Sequence, residues 1–124
     1  MTANPLERFA FGDSSAMADA LLALVLDGTK TATCWAAGGD PPTIVGQRQV
    51  VLDGSGVPRA VIETLSIEAR RFDTVDATFA HAEGEGDRSL AGWRADHRAF
   101  FTRNGGFTPD MLLWCERFRL VERC

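Results

Sequence analysis

Residues 47–69 constrain the fold more than any other stretch of this chain. Two β-rich runs, QRQVVL (47–52) and VPRAVIETLSIEA (57–69), are separated by DGSG (53–56). Glycines in so short a connector favour a tight reversal, so the two runs pair as an antiparallel hairpin with a long return strand. A hairpin alone cannot bury enough apolar surface to be stable. The rest of the chain must cover it.

The covering elements can be read in order. Ser14 or Ser15 can cap a helix running to about Asp27, with Met17, Leu21, Leu24 and Val25 on one face. Gly28 follows as a left-handed stop. TKTATCW (29–35) reads as a short strand, and AAGGDPPTIVG (36–46) as a loop. Asp73 is a candidate cap for a short helix in which Val75 and Phe79 share a face, and the glycines of EGEGD end that helix. Ser89 can cap a further helix carrying Leu90, Trp93, His97 and Phe100 on one side. NGG (104–106) makes a turn, and MLLWCERFRLVE (111–122) a final strand. Few, twisted strands with helices around them predict an α+β chain, a small closed or partly closed β-barrel flanked by about three helices.

At 124 residues the chain suits a single domain, 1–124. The longest apolar stretch, 20–26, is too short to span a bilayer, so no membrane association is expected. The N-terminal MTANPLERFAFGD has no basic segment followed by an apolar core and does not read as a secretory signal. Three cysteines (Cys34, Cys115, Cys124) without a C-x-x-C spacing suggest a reducing compartment, and a cytoplasmic location is expected. A net charge of −4 is a poor match for a protein gripping a long stretch of nucleic acid. It leaves room for a small nucleoside or a short single strand.

GTKTAT (28–33) is the first stretch that can carry chemistry. A desolvated Lys30 can accept a proton from Thr33 or from water, and a charged Lys30 can stabilise a developing oxyanion. Residues three apart point to opposite faces of a flat strand, so the pair acts together only if the chain bends after Gly28 or the long lysine stem bridges the gap. On spacing alone, Lys30 reads as a solvated lysine beside strand-forming threonines.

HAEGEGDRS (81–89) is the second. In an extended chain Glu83, Glu85 and Asp87 would project to one side, and the glycines would let a ligand or another backbone come close. One carboxylate can serve as general acid or base, and all three can hold magnesium or calcium. The segment reads equally well as a solvated connector. His81 beside it is a candidate ligand contact, whereas His97 reads as a core histidine bonded to backbone. Trp35, directly after GTKTAT, is a candidate platform for a base, and Glu63 is expected to pair with an arginine. No zinc-ligand spacing, phosphate loop or dinucleotide fingerprint is present.

An amphipathic helix, G-x-K-T-x-T, paired strands carrying VIET, then HAE-G-EG, a helix and a closing strand together resemble the ASCH domain family, over about residues 11–121. The family is related to the PUA-like RNA-binding barrels. The resemblance implies a PUA-like β-barrel with a cleft beside the helix-to-strand junction. Small bacterial ASCH proteins similar to this chain include amidohydrolases that remove the acetyl group from 4-acetylcytidine. Carried over by motif, their catalytic lysine, threonine and glutamate become Lys30, Thr33 and Glu85. Trp35, Thr31, His81, Glu83, Asp87 and Arg94 are then expected around the substrate. Trp35 stands where those relatives have arginine. The expected reaction is amide hydrolysis of an acylated cytidine without cofactor or metal. Other ASCH proteins are similar to ribonucleases, which would place magnesium on Glu83, Glu85 and Asp87. Others are thought simply to bind RNA, which would line Lys30, Arg94 and Arg98 along one groove. The expected partner is a modified nucleoside or a short single-stranded RNA, and no protein partner is inferable.

Overall fold

The computed structural model describes residues 6–124. The N-terminal segment read above as free of a secretory signal therefore lies in part outside the described residues. The elements run β1 (Glu7–Phe9), α1 (Ser15–Leu26), β2 (Ala32–Ala36), β3 (Arg48–Leu52), β4 (Pro58–Arg71), a single 3-10 turn (Phe72–Thr74), α2 (Ala77–Glu83), α3 (Leu90–Arg103) and β5 (Leu112–Arg123). The strands form one sheet in the order β1-β3-β4-β5-β2. The pairing is antiparallel throughout except between β1 and β3.

The predicted hairpin is β3–β4, and its DGSG turn is held by Asp53, which accepts from the amides of Ser55 and Val57. The long strand β4 pairs with β5 through two register shifts, between Val61 and Ile62 and between Thr64 and Ser66. Such bulges bend a strand and increase its twist. The curl brings the two edge strands together: Phe9 of β1 meets Trp35 of β2 edge-on at 5.3 Å. The result is a curled five-stranded half-barrel with three helices.

Each face of the sheet has its own core. Leu21, Leu22 and Val25 of α1 pack with Phe11, Val51, Ala60, Ile62 and Phe118. On the other side Phe79, Ala80 and Ala82 of α2 and Trp93 and Phe101 of α3 pack with Ala32, Leu113 and Cys115. No helix among the described residues is long and apolar enough to cross a membrane.

Three details differ from the sequence reading. The short strand β1 carries no period long enough to be seen. Strand β2 begins at Ala32, after Lys30, rather than at Thr29. Helix α2 is capped by Asp76, which accepts from the Phe79 amide at 2.9 Å, and not by Asp73. Phe72 is buried and draws the chain into the 3-10 turn first, which leaves Asp73 paired with Arg71 on the surface. Glu63 does pair with arginine, at 3.2 Å from both Arg48 and Arg119.

Candidate active site

The site forms where GTKTAT and HAEGEGD touch. Gly28 turns left-handed at the end of α1 (φ +85°), and the amides of Thr29 and Lys30 both donate to the Leu24 carbonyl. The chain therefore bends sharply before β2 starts, the first of the two ways in which Lys30 and Thr33 could act together. The acid–glycine loop docks directly on this bend. Gly84 is left-handed (φ +74°), and a Cβ there would lie 2.6 Å from the Thr29 carbonyl oxygen, so only glycine permits the approach. The Thr31 amide donates to Ala82 at 2.8 Å, and the Arg88 guanidinium bonds the carbonyls of His81 and Thr29.

This docking buries Lys30. The residue is 1% exposed, against the expectation of a solvated lysine. Its Nζ donates to the Ala32 carbonyl and to Glu85 Oε2 at 2.8 and 2.7 Å, and lies 3.3 Å from both Glu83 Oε1 and the Glu83 carbonyl. Glu83, the last residue of α2, is as deeply buried. Its other oxygen accepts from the Trp93 indole and lies 3.4 Å from His97 Nε2. His97 stacks on the Trp93 ring at 4.3 Å, and its Nδ1 is 2.8 Å from the Trp93 carbonyl. A carbonyl can only accept, so Nδ1 carries a proton. A cavity of about 70 Å³ opens over this cluster. Lys30, Thr33, Cys34, Glu85, Asp96 and His97 border it on the polar side, and Phe11, Phe100 and Phe101 on the apolar side. Lys30, Thr33 and Glu85 thus share one cavity.

With that geometry in place, the family can be assigned. The model of the ASCH domain matches residues 7–122. The chain belongs to the ASCH domain family. Two solved structures bear this out. The ASCH domain from Lactobacillus crispatus JV V101 is 35% identical over 93% of this chain and 79% of its own, with a TM-score of 0.86. A protein from Enterococcus faecalis V583 is 34% identical over 99% of this chain and 80% of its own, with a TM-score of 0.88. Among proteins with curated descriptions, none matches.

The charge states of this ASCH domain follow from its contacts. Burial pulls the Lys30 pKa down, but the Glu83 and Glu85 carboxylates outweigh it and raise the value above normal. Lys30 is an ammonium. Burial alone would raise Glu83; the Lys30 charge and the bonds from His97 and Trp93 overcome it and hold the carboxyl at about 2. Burial likewise opposes the charge on His97, and its contact with Glu83 reverses the balance and raises its pKa.

Other residues anticipated around the substrate lie elsewhere. The acid–glycine loop is not extended: Gly84, Gly86 and Arg88 are all left-handed. Asp87 consequently turns to the surface, where it accepts from the amide and hydroxyl of Ser89. The Glu83–Glu85–Asp87 set is therefore not assembled as a metal site. The metal-capable atoms that do converge among the described residues belong to Cys34, Glu83 and His97. Glu83 there already serves Lys30, whose positive charge opposes a cation. His81 is exposed and contacts Arg88 through Nδ1. Thr31 is exposed and bonds the Ala82 carbonyl. Arg94 is exposed on α3 away from the cavity lining, and Arg98 lies over the Phe107 ring, so neither forms a groove with the buried Lys30.

Trp35 is engaged behind the site. Its indole donates to Glu116 Oε1 at 3.3 Å, and Glu116 Oε2 accepts from Thr64, which is bonded in turn to Thr43. Glu116 was not singled out in the sequence; the one signal was an acid directly after the apolar run LLWC, within a strand. Asp96 also escaped notice, because an exposed acid on a polar helix face is ordinary. Among the described residues, Gln49 Oε1 is a buried side-chain oxygen without a partner.

Proposed function

We propose that this ASCH domain is an amidohydrolase that removes the acyl group from an N-acylated cytidine or a similar neutral nucleoside. The observation that carries the reading is the buried ammonium of Lys30, 2.7 Å from Glu85, at a cavity that Thr33 also borders. A fixed cation in a desolvated site is suited to an acyl oxygen that gains negative charge. Lys30 between two carboxylates is a poor base, so the proton-accepting role falls to Glu85, which at 15% exposure is the accessible partner. Thr33 Oγ1, or a water it holds, attacks the acyl carbon while Glu85 takes its proton. The C–N bond then breaks, and Glu85 returns that proton to the leaving amine. If Thr33 itself attacked, water hydrolyses the resulting ester. The aromatic wall of Phe11, Phe100 and Phe101 fits an uncharged ligand. The carboxylates of Glu85 and Asp96 oppose a phosphate. No cofactor or metal takes part in this scheme.

The test is to incubate the protein with N4-acetylcytidine and, separately, with a short single-stranded RNA, each with and without a chelator. Release of acetate that is indifferent to chelator is expected, with RNA left intact. The Glu85→Gln variant should lose about 10²- to 10⁴-fold in kcat, the usual range for a general acid–base group. Chelator-sensitive cleavage of RNA with no acetate released would replace this reading by the ribonuclease.

A further inference from the structure

Cys34 and Cys115 are directly opposite each other on β2 and β5. The kind of pair they form follows from the ends of that ladder. The Phe118 amide donates to Thr31 and the Ala37 amide to Leu112, both at 3.0 Å, so 31/118 and 37/112 are hydrogen-bonded positions. Hydrogen-bonded and non-hydrogen-bonded pairs alternate along antiparallel strands. The 34/115 pair lies an odd number of steps from either end and is therefore non-hydrogen-bonded. At such positions the Cα atoms approach to about 4.5 Å and the side chains lean together. Disulfides span Cα separations from about 4.4 to 6.8 Å, so a pair at this spacing falls within their range, at its short end. Both side chains also lie on the same face of the sheet, against the α2–α3 core.

From this register we infer that Cys34 and Cys115 form an oxidative modification site, closing to a cross-strand disulfide when the protein meets a low-molecular-weight disulfide. Cys34 is the entry point, because it is half-buried and borders the cavity, whereas Cys115 is buried. The Cys34 thiolate attacks one sulfur of the small disulfide, and a small thiolate leaves. Cys115, as thiolate, then attacks the Cys34 sulfur of the mixed disulfide and expels the second small thiolate. In sum, two protein thiols become one disulfide, and the small disulfide is reduced to two thiols. The product ties the edge strand that carries Thr33 to β5 and takes the Cys34 sulfur out of the cavity wall.

Burial raises both thiols above their ordinary range, Cys115 to about 12, so exchange is slow near neutrality and speeds up as pH rises. Cys124 is exposed and reacts independently.

The experiment treats the full chain with oxidised glutathione in mildly alkaline buffer, blocks remaining thiols with iodoacetamide and maps the peptides. A peptide pair joined through Cys34 and Cys115, about 2 Da lighter than the two free peptides and separated by dithiothreitol, is the expected result. Recovery of Cys115 as its alkylated or free thiol, with Cys34 either glutathionylated or unreacted, overturns the assignment. Since the readout is covalent mapping, the outcome is independent of whether the domain is an amidohydrolase.

Discussion

Glu83 and Glu116 share a residue type and a depth of burial, but not a set of partners. Glu83 faces the Lys30 ammonium, with His97 and Trp93 on its other oxygen. Glu116 faces only a hydroxyl and an indole, from Thr64 and Trp35. Their pKa values move in opposite directions. Burial raises Glu116, and neither its two hydrogen bonds nor the weaker pull of the Lys30 charge, which makes no contact with it, reverses that. Burial acts in the same sense on Glu83, yet the cation drives it down to about 2. The difference teaches that a neutral donor can satisfy a buried carboxyl, while holding it ionised takes a charge of opposite sign in direct contact. In this ASCH domain the ionised cluster has the cavity above it, and the hydrogen-bonded one supports the barrel behind.

The comparison breaks most sharply at Lys30. A Lys30→Met variant leaves Glu83 buried beside an apolar chain, and breaking a buried ion pair in this way costs about 3–5 kcal/mol. Urea denaturation should show that loss at neutral pH. For the wild type the sign is fixed by the lowered pKa of Glu83. Its contribution is present above the ordinary value of 4.5 and is lost as pH falls toward about 2. The variant should run the other way: without the Lys30 ammonium, Glu83 keeps only His97 as a charged partner, acid protonates it more readily and the stability gap to wild type narrows. A gap that stays constant down to acid pH would mean that Lys30 does not hold Glu83 ionised.

A smaller effect is expected at His97. Its pKa is raised, so the stability it contributes is fully present below the ordinary 6.5 and is lost as pH rises through the higher folded value. A His97→Gln variant keeps a donor toward the Trp93 carbonyl but loses the charge facing Glu83. It should cost about 1 kcal/mol below that pH and less above it. An equal cost at both ends of the range would assign His97 a packing role only.

How far the sequence disclosed this arrangement depends on the range of the interaction concerned. The β3–β4 hairpin was legible because a glycine turn lies between two β-rich runs. The caps at Ser14 and Ser89 were legible because a serine precedes each apolar stripe. Strand β1 was not, since three residues pairing with β3 some forty positions away leave no local pattern. Both halves of the candidate site could be named from motifs, but their electrostatics could not. Lys30 is buried only because Gly84 lets the loop close on Thr29, a contact between backbones that no side-chain period reports. The extended acid–glycine loop failed for a related reason: glycines that allow an extended chain also allow successive left-handed turns, and Asp87 was carried out of the site. Glu116 stayed hidden because a buried acid satisfied by Thr64 and Trp35 requires strands brought together by the curl of the sheet.

The smallest effect, and the one that sharpens the comparison most, belongs to Glu116→Gln. A glutamine can reuse the existing bonds: its oxygen accepts from Trp35, its amide donates to Thr64, and the Thr64 hydroxyl turns to donate to Thr43, 2.7 Å away. With every polar atom satisfied, the cost at neutral pH should stay within about 1 kcal/mol. Because the folded pKa of Glu116 is raised, its carboxyl stabilises the fold below the ordinary 4.5 and loses that contribution as pH rises through the folded value. The variant should therefore gain on the wild type as pH rises above 4.5, opposite in sign to a Glu83→Gln variant, which loses ground as pH rises from about 2 to 4.5 and Glu83 ionises against Lys30. Parallel urea titrations of the two variants at acid and neutral pH check this. Two curves that shift in the same direction would show that the two glutamates are not held by different physics.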